Sequence, residues 1–280
     1  MLCKYKMAGE NDFLYLAVIR KIVFLLFCQC SVINLDAQAR QHYIDSLMNE
    51  ITISQAQDTN RAICLYRLCW EFRKSDPKKS EQYGTEALQL SLQLNFQKGI
   101  GSSYNNLGGV YESQGDDVKA LRYYMLALEA KRKGNDKRSI ASTLNNIGII
   151  YKKQEYYDRS LLYYREAVSL NKSSNNVAFL QINYYNMANS HKGLKNYDSA
   201  FFYYQLSLDL LRELDKLASS VDILNSIGNY YVDLQQYDKA IIYFDSSYSA
   251  ANLYGHTNAS RHFYFQNKGP KTERASPLHT

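Results

Sequence analysis

The most regularly spaced polar side chains in this sequence are carboxamides. Asn105 and Asn106 are followed forty residues on by Asn145 and Asn146. The same two places then hold Tyr185 and Asn186, and after them Asn225 and Ser226, while a third place holds Asn189 and Asn229. A carboxamide offers two N–H donors and one carbonyl acceptor and carries no charge. The chemistry open to such a ladder is therefore hydrogen bonding, to neighbouring parts of the chain or to something laid along it. Groups that make and break bonds are not gathered anywhere. No nucleophile–base pair recurs at fixed spacing, the five histidines are scattered, and there is no Cys-x-x-Cys pair. Gly99 and Gly101 do not complete a dinucleotide-binding loop, because Tyr104 stands where the third glycine would be. No catalytic, metal-binding or cofactor-binding residue, no cofactor and no enzyme activity are expected.

The elements that must position the ladder follow from the residues between its rungs. Small residues fall at Gly108, Gly148, Ala188 and Gly228 without drift in spacing. A second register holds Ser80, Ala120, Ser160, Ala200 and Ala240, and a third holds Ala87, Ala127, Ala167, Ser207 and Ser247. Between these two lie Tyr124, Tyr164, Tyr204 and Phe244. No proline occurs between residues 78 and 269, which suits uninterrupted helices. A fixed period of this size marks a solenoid in which one helical hairpin stacks on copies of itself. Each repeat reads as a helix A of about fifteen residues, a polar turn such as Gln114-Gly115-Asp116, and a returning helix B. Small residues on A are expected to face small residues on B, with the aromatic filling the gap towards the next repeat. Asp117, Asp158, Asp198 and Asp238 are expected to cap or charge-stabilise the B helices.

Tyr104, Leu107, Gly108, Tyr111, Ala120, Tyr124 and Ala127 together resemble the tetratricopeptide repeat, and later repeats match at most of the same places. The resemblance runs from about Thr59 to Tyr254 and implies an all-α, right-handed superhelical solenoid of about five antiparallel hairpins. It departs from the family in its longer period and in its first repeat, where Leu68, Cys69 and Phe72 run one residue out of step and Gly84 replaces the aromatic of helix B. The resemblance further implies a concave face lined by helix A. Asn105, Asn106, Asn145, Asn146, Tyr185, Asn186, Asn189, Asn225 and Asn229 are then expected to face the groove and hold a protein or an extended peptide by its main chain. The other reading is that these side chains brace neighbouring loops or merely solvate the face. A carboxylate clamp is not expected, because Ser102, Ser142, Ile182 and Asp222 supply no cation. Glu112, Lys152, Lys192 and Asp233 are expected along the rim.

The flanks read differently from the array. Residues 1–37 run from basic Arg20-Lys21 through an apolar stretch to Leu35-Asp36-Ala37, the order of an export signal. The chain is therefore expected to be exported, to the periplasm or to a membrane anchor facing it if the segment stays uncleaved. The array proper is expected over 38–256, with a lead-in helix at 38–54 and repeats at about 59–97, 98–137, 138–177, 178–217 and 218–256. The tail, 257–280, reads as polar, basic and disordered. It would leave Ile241, Ile242, Phe244 and Tyr248 without a cap, inviting a partner or self-association. The net charge of +6 lies mostly in the two flanks, so the array lacks the basic face that nucleic acid would need. An alternative function is the sensor part of a bacterial histidine kinase or transcriptional regulator whose output module lies elsewhere.

Overall fold

The computed structural model describes residues 38–53, 56–214 and 216–253. The expected export segment and tail lie outside them. The chain divides into two units at Ala56 and Gln57. In the first, a helix at 38–53 (α1) buries Ile44 and Leu47. The second unit is an array of helical hairpins, and no strand occurs among the described residues.

The hairpins are α2 (Thr59–Phe72) with α3 (Pro77–Gln93), α4 (Gln97–Ser113) with α5 (Asp117–Lys133), and α6 (Lys137–Lys153) with α7 (Tyr157–Ser173). They continue as α8 (Val177–Gly193) with α9 (Tyr197–Glu213), and α10 (Val221–Asp233) with α11 (Tyr237–Leu253). A 3₁₀ turn, Leu217–Ser220, stands in for the first turn of helix A in the fifth hairpin. Helices α4 to α9 have 17 residues each, not the fifteen that the sequence suggested for helix A, and three-residue turns join them. Two such helices and two such turns account for the period of forty. Most of the turns close by one rule. The N–H three residues past the helix bonds back to a carbonyl five residues earlier, as in Asp116 to Tyr111, Tyr156 to Tyr151 and Asn176 to Asn171. The residue before that N–H takes positive φ. Between hairpins it is Asn95, Asn135 or Asn175, and within them Gly115, Glu155, Lys195 or Gln235. Asparagine and glycine accept this conformation readily, whereas glutamate, lysine and glutamine hold it at a cost of about 1–2 kcal/mol.

Of the two expected roles, cap or charge partner, the B-helix aspartates take the second. The side chains that accept a backbone N–H at helix starts are Asp58, Asp76, Asp116 and Asp136. Asp117, Asp158, Asp198 and Asp238 sit inside the first turn, where they complement the helix dipole.

The packing of the small residues differs from expectation. A Cβ on Gly108 would lie 2.6 Å from the Tyr124 ring, on Gly148 2.4 Å from Tyr164, and on Gly228 2.5 Å from Phe244. The small residue of helix A thus receives the aromatic of its own hairpin directly, rather than facing another small residue. Tyr124, Tyr164 and Tyr204 are fully buried as a result. Their neighbours Tyr123, Tyr163 and Tyr203 stack instead on Tyr111, Tyr151 and His191 of helix A. In the first hairpin Gly84 removes the aromatic, and Leu107 from the second hairpin and Cys69 fill the space. Cys64 and Cys69 are buried and form no disulfide, and burial pushes the Cys69 thiol up to about 11.

Candidate functional site

Helix A carries the asparagines in two adjacent rows, and the fold sends the rows to different places. Asn105, Asn145, Tyr185 and Asn225 turn towards the neighbouring repeat. Asn105 Oδ1 accepts from Thr143 Oγ1 at 3.0 Å and from Asn146 Nδ2 at 3.4 Å. One repeat later Asn145 Oδ1 accepts from Asn183 Nδ2 and Asn186 Nδ2, both at 3.0 Å. The geometry repeats because the chain does: the donors lie 38 and 41 residues further on in both cases. At the next junction Tyr185 meets Ser226 at 3.5 Å, and Ile223 stands where Thr143 and Asn183 stood. Asn225 Oδ1 is buried with no hydrogen-bond partner among the described residues.

Helix B feeds the same junctions, which the sequence alone does not reveal. Lys131 Nζ donates to Thr143 Oγ1 at 2.7 Å and lies 3.4 Å from the Ser139 carbonyl. The equivalent Asn171 donates to Asn183 Oδ1 at 2.7 Å, and Leu211 takes this place at the last junction. Burial drives the pKa of Lys131 down to about 8, with Asp136 pulling weakly the other way. Its stem runs past Gly101, where a Cβ would sit 2.7 Å from Lys131 Cγ. The only sequence hint is that glycine, and it carries no periodic mark.

The second row, with the positions one turn on, forms an open ribbon along helix A. Asn106, Asn146 and Ser226 are half-buried, as are Asn189 and Asn229. Asn186 is the exception. It is buried, donates to Asn145, and accepts from Lys152 at 3.4 Å. Asn106 Nδ2 donates to the Tyr66 carbonyl at 2.6 Å, which leaves its Oδ1 outward. Tyr204 OH donates to Asn189 Oδ1 at 2.7 Å and so presents the Nδ2 of Asn189. Asn229 makes no side-chain hydrogen bond among the described residues. Of the nine ladder residues, four therefore keep hydrogen-bonding capacity on the ribbon, Asn106, Asn146, Asn189 and Asn229, while Asn105 keeps its amide in the other row. Asn145 and Asn186 are spent on bracing, Tyr185 leans on the next repeat, and Asn225 is enclosed.

The rim charges pair across repeats. Glu112 holds Lys153 at 3.0 Å and accepts from Tyr124 OH at 2.7 Å, and Lys192 meets Asp233 at 3.2 Å. Burial lowers the pKa of Lys152, with Lys153 adding to the effect. The described residues contain no group of His, Cys, Asp and Glu placed to hold a metal, and no helix among them is long and apolar enough to cross a membrane.

Repeated antiparallel hairpins with an open helix A ribbon define a helical-repeat interaction scaffold. Models of the tetratricopeptide repeat match residues 99–173, 183–210 and 221–252, and the chain is a tetratricopeptide repeat protein. No match was found among curated protein sequences. Among solved structures, BtubC (BKLC) from P. vanneervenii is similar at 18% identity and a TM-score of 0.66, covering 87% of this chain and 96% of that one. A Rap protein complexed with competence and sporulation factor is similar at 15% and 0.62, covering 81% of this chain and 68% of that one. A Signal Transduction ATPase with Numerous Domains protein from Pyrococcus horikoshii, bearing a tetratricopeptide repeat sensor, is similar at 17% and 0.59, covering 73% and 36%. At such identities the likeness is one of fold.

Proposed function

We propose that this chain is a non-catalytic scaffold that binds an extended peptide or a protein segment along the helix A ribbon. The observation that carries the reading is the row of outward carboxamides, Asn106, Asn146, Asn189 and Asn229. The first three are held by hydrogen bonds, and each of the four keeps a donor or acceptor that the protein does not use. A peptide main chain offers a donor and an acceptor at every residue and is the natural complement. The buried row behind it keeps the repeats in register, so the ribbon is held in place before a ligand arrives, which lowers the ordering cost of binding. The basic–apolar–small order of residues 1–37 supports export. The resemblance to a protein with a tetratricopeptide repeat sensor supports a second reading, in which the array is the sensing part of a signalling assembly. Probing an immobilised peptide array with the full chain tests the main reading. The Asn146→Ala/Asn189→Ala/Asn229→Ala variant should lose most of the captured signal while keeping its helical circular dichroism. Equal capture by both proteins removes the ribbon from the account.

A further inference from the structure

The first hairpin lags the others by one residue, and this shift places a tryptophan on the ribbon. Cys69 takes the small-residue place, so Trp70 falls where Gly109, Ile149, Asn189 and Asn229 fall in later repeats. Trp70 is the chain's single tryptophan and is 42% exposed. Its ring leans on the second hairpin, with Cζ3 3.6 Å from where a Cβ on Gly109 would sit. A Cβ there would make ordinary contact with the ring, so the glycine leaves a methyl-sized notch beside the indole. The Arg73 guanidinium lies 3.4 Å over the ring, and its Nη1 donates to the Trp70 carbonyl at 2.7 Å. Arg67 stands one turn before Trp70 on the same face of α2, exposed and with no ion pair among the described residues. Lys74 follows in the exposed turn. Carboxylates lie nearby too, and Asp76, in the same turn as Lys74, is engaged by the Lys79 N–H at the start of α3. Glu112 is engaged by Lys153 and Tyr124, and Glu71 is half-buried on α2.

Resting on the scaffold reading above, we infer that this end of the ribbon is the anchor for an acidic peptide segment. An apolar side chain of the peptide would lie in the Trp70–Gly109 notch, and its carboxylates would meet Arg67, Arg73 and Lys74. Charge complementarity selects the occupant. The opposite end of the ribbon carries exposed Asp222 together with Asp233, so an acidic segment is favoured at the first hairpin and disfavoured at the fifth. Tryptophan and arginine are also among the residue types enriched where binding energy concentrates at protein interfaces.

Because the indole is unique, its own fluorescence reports occupancy. The full chain is titrated with a labelled peptide alternating Asp and Glu with Leu and Phe, with a counterpart carrying Lys for every acid, and with oligothymidylate. The acidic peptide should bind and shift the Trp70 emission, with affinity falling as salt rises. Trp70→Ala should weaken binding by about tenfold or more. Arg67→Glu alters an exposed position that tolerates substitution, and should weaken binding by about tenfold and abolish the preference over the Lys peptide. Binding of the acidic peptide with unchanged emission and no effect of Arg67→Glu overturns this anchor but leaves the ribbon as a peptide site. Tighter binding of the Lys peptide or of oligothymidylate, with a shift in emission, overturns the acidic assignment. Failure of all three probes to bind overturns the inference, and the peptide-array result then decides separately whether the scaffold reading stands.

Discussion

The junction between the third and fourth hairpins and the junction between the fourth and fifth use the same positions for opposite chemistry. In the first, Asn145, Asn171, Asn183 and Asn186 form a closed set of carboxamides linked at 2.7 to 3.0 Å. In the second, Tyr185, Leu211, Ile223 and Ser226 occupy those places, and one hydroxyl contact at 3.5 Å remains. Both junctions are buried and both propagate the same period. The fold therefore does not depend on the asparagines as such. It needs the small–aromatic contact inside the second to fifth hairpins, plus a junction whose buried polar groups are either satisfied or largely replaced by apolar ones. A half-satisfied junction is the costly state, because a buried donor or acceptor without a partner loses its hydration and gains nothing.

The largest effect should come from the feature the two junctions share. Gly148→Val drives a side chain into the Tyr164 ring, and about 3 kcal/mol of stability should disappear in urea denaturation. Gly228→Val should cost a similar amount against Phe244. If only one of the pair is destabilising, the hairpins are not equivalent. Next comes the polar junction itself. Asn183→Ile alone strands Asn171 and Asn145 and should cost about 2–3 kcal/mol. Adding Asn145→Tyr, Asn171→Leu and Asn186→Ser rebuilds the fourth junction at the third and should bring stability back to within about 1 kcal/mol of the parent. A quadruple variant no better than the single one would show that the asparagines do more than satisfy one another.

Lys131 sharpens the comparison through pH. Its folded pKa, about 8, lies below the ordinary 10.5 because burial disfavours the charged form. Below pH 8 both folded and unfolded chains hold the proton, and the burial penalty is paid in full. Between 8 and about 10.5 the folded chain has released a proton that the unfolded chain keeps, so stability rises with pH in that window. Tyr124 and Tyr164 act in the opposite direction at higher pH, since burial raises both phenols. The clean measure is the difference between the parent and Lys131→Met, which should rise by about 2 kcal/mol in the parent's favour between pH 8 and 10. A flat difference would mean that Lys131 is not desolvated. The smallest effect belongs to the turns. Glu155→Gly relieves a residue held at positive φ and should stabilise the chain by about 0.5–1 kcal/mol, with Lys195→Gly alike.

Much of this architecture was legible in the sequence, for a physical reason. Gly108, Gly148 and Gly228 must be small because a ring presses on them, and that constraint recurs once per repeat. Tyr124, Tyr164 and Phe244 show the other half of the same contact. The ladder was legible as a ladder but not as two rows. Asn145 and Asn146 are adjacent, differ by about 100° around the helix, and look identical in a sequence. Only the donors that reach Asn145 from some forty residues on, and not Asn146, separate the brace from the ribbon. Lys131 was missed because its partner, Thr143, sits on another helix with no spacing rule to reveal it. Trp70 was missed because the first hairpin runs one residue behind, so alignment by the period of forty points to Val110 instead. The caps were misread because Asp116 and Asp117 are both present and only backbone geometry chooses between them, and because Tyr156 and Asn196, which make no side-chain cap, stand at the cap positions before Asp158 and Asp198.

The central claim is that neighbouring asparagines on helix A serve different ends, one holding repeats together and the other facing a ligand. Urea denaturation of Asn145→Ala beside Asn146→Ala tests it most directly. Asn145 accepts two buried hydrogen bonds at 3.0 Å, and its loss should cost about 2–3 kcal/mol. Asn146 makes one contact at 3.4 Å from a half-exposed position, and its loss should cost about 0.5 kcal/mol or less. Equal losses, or a greater loss at Asn146, would contradict the division.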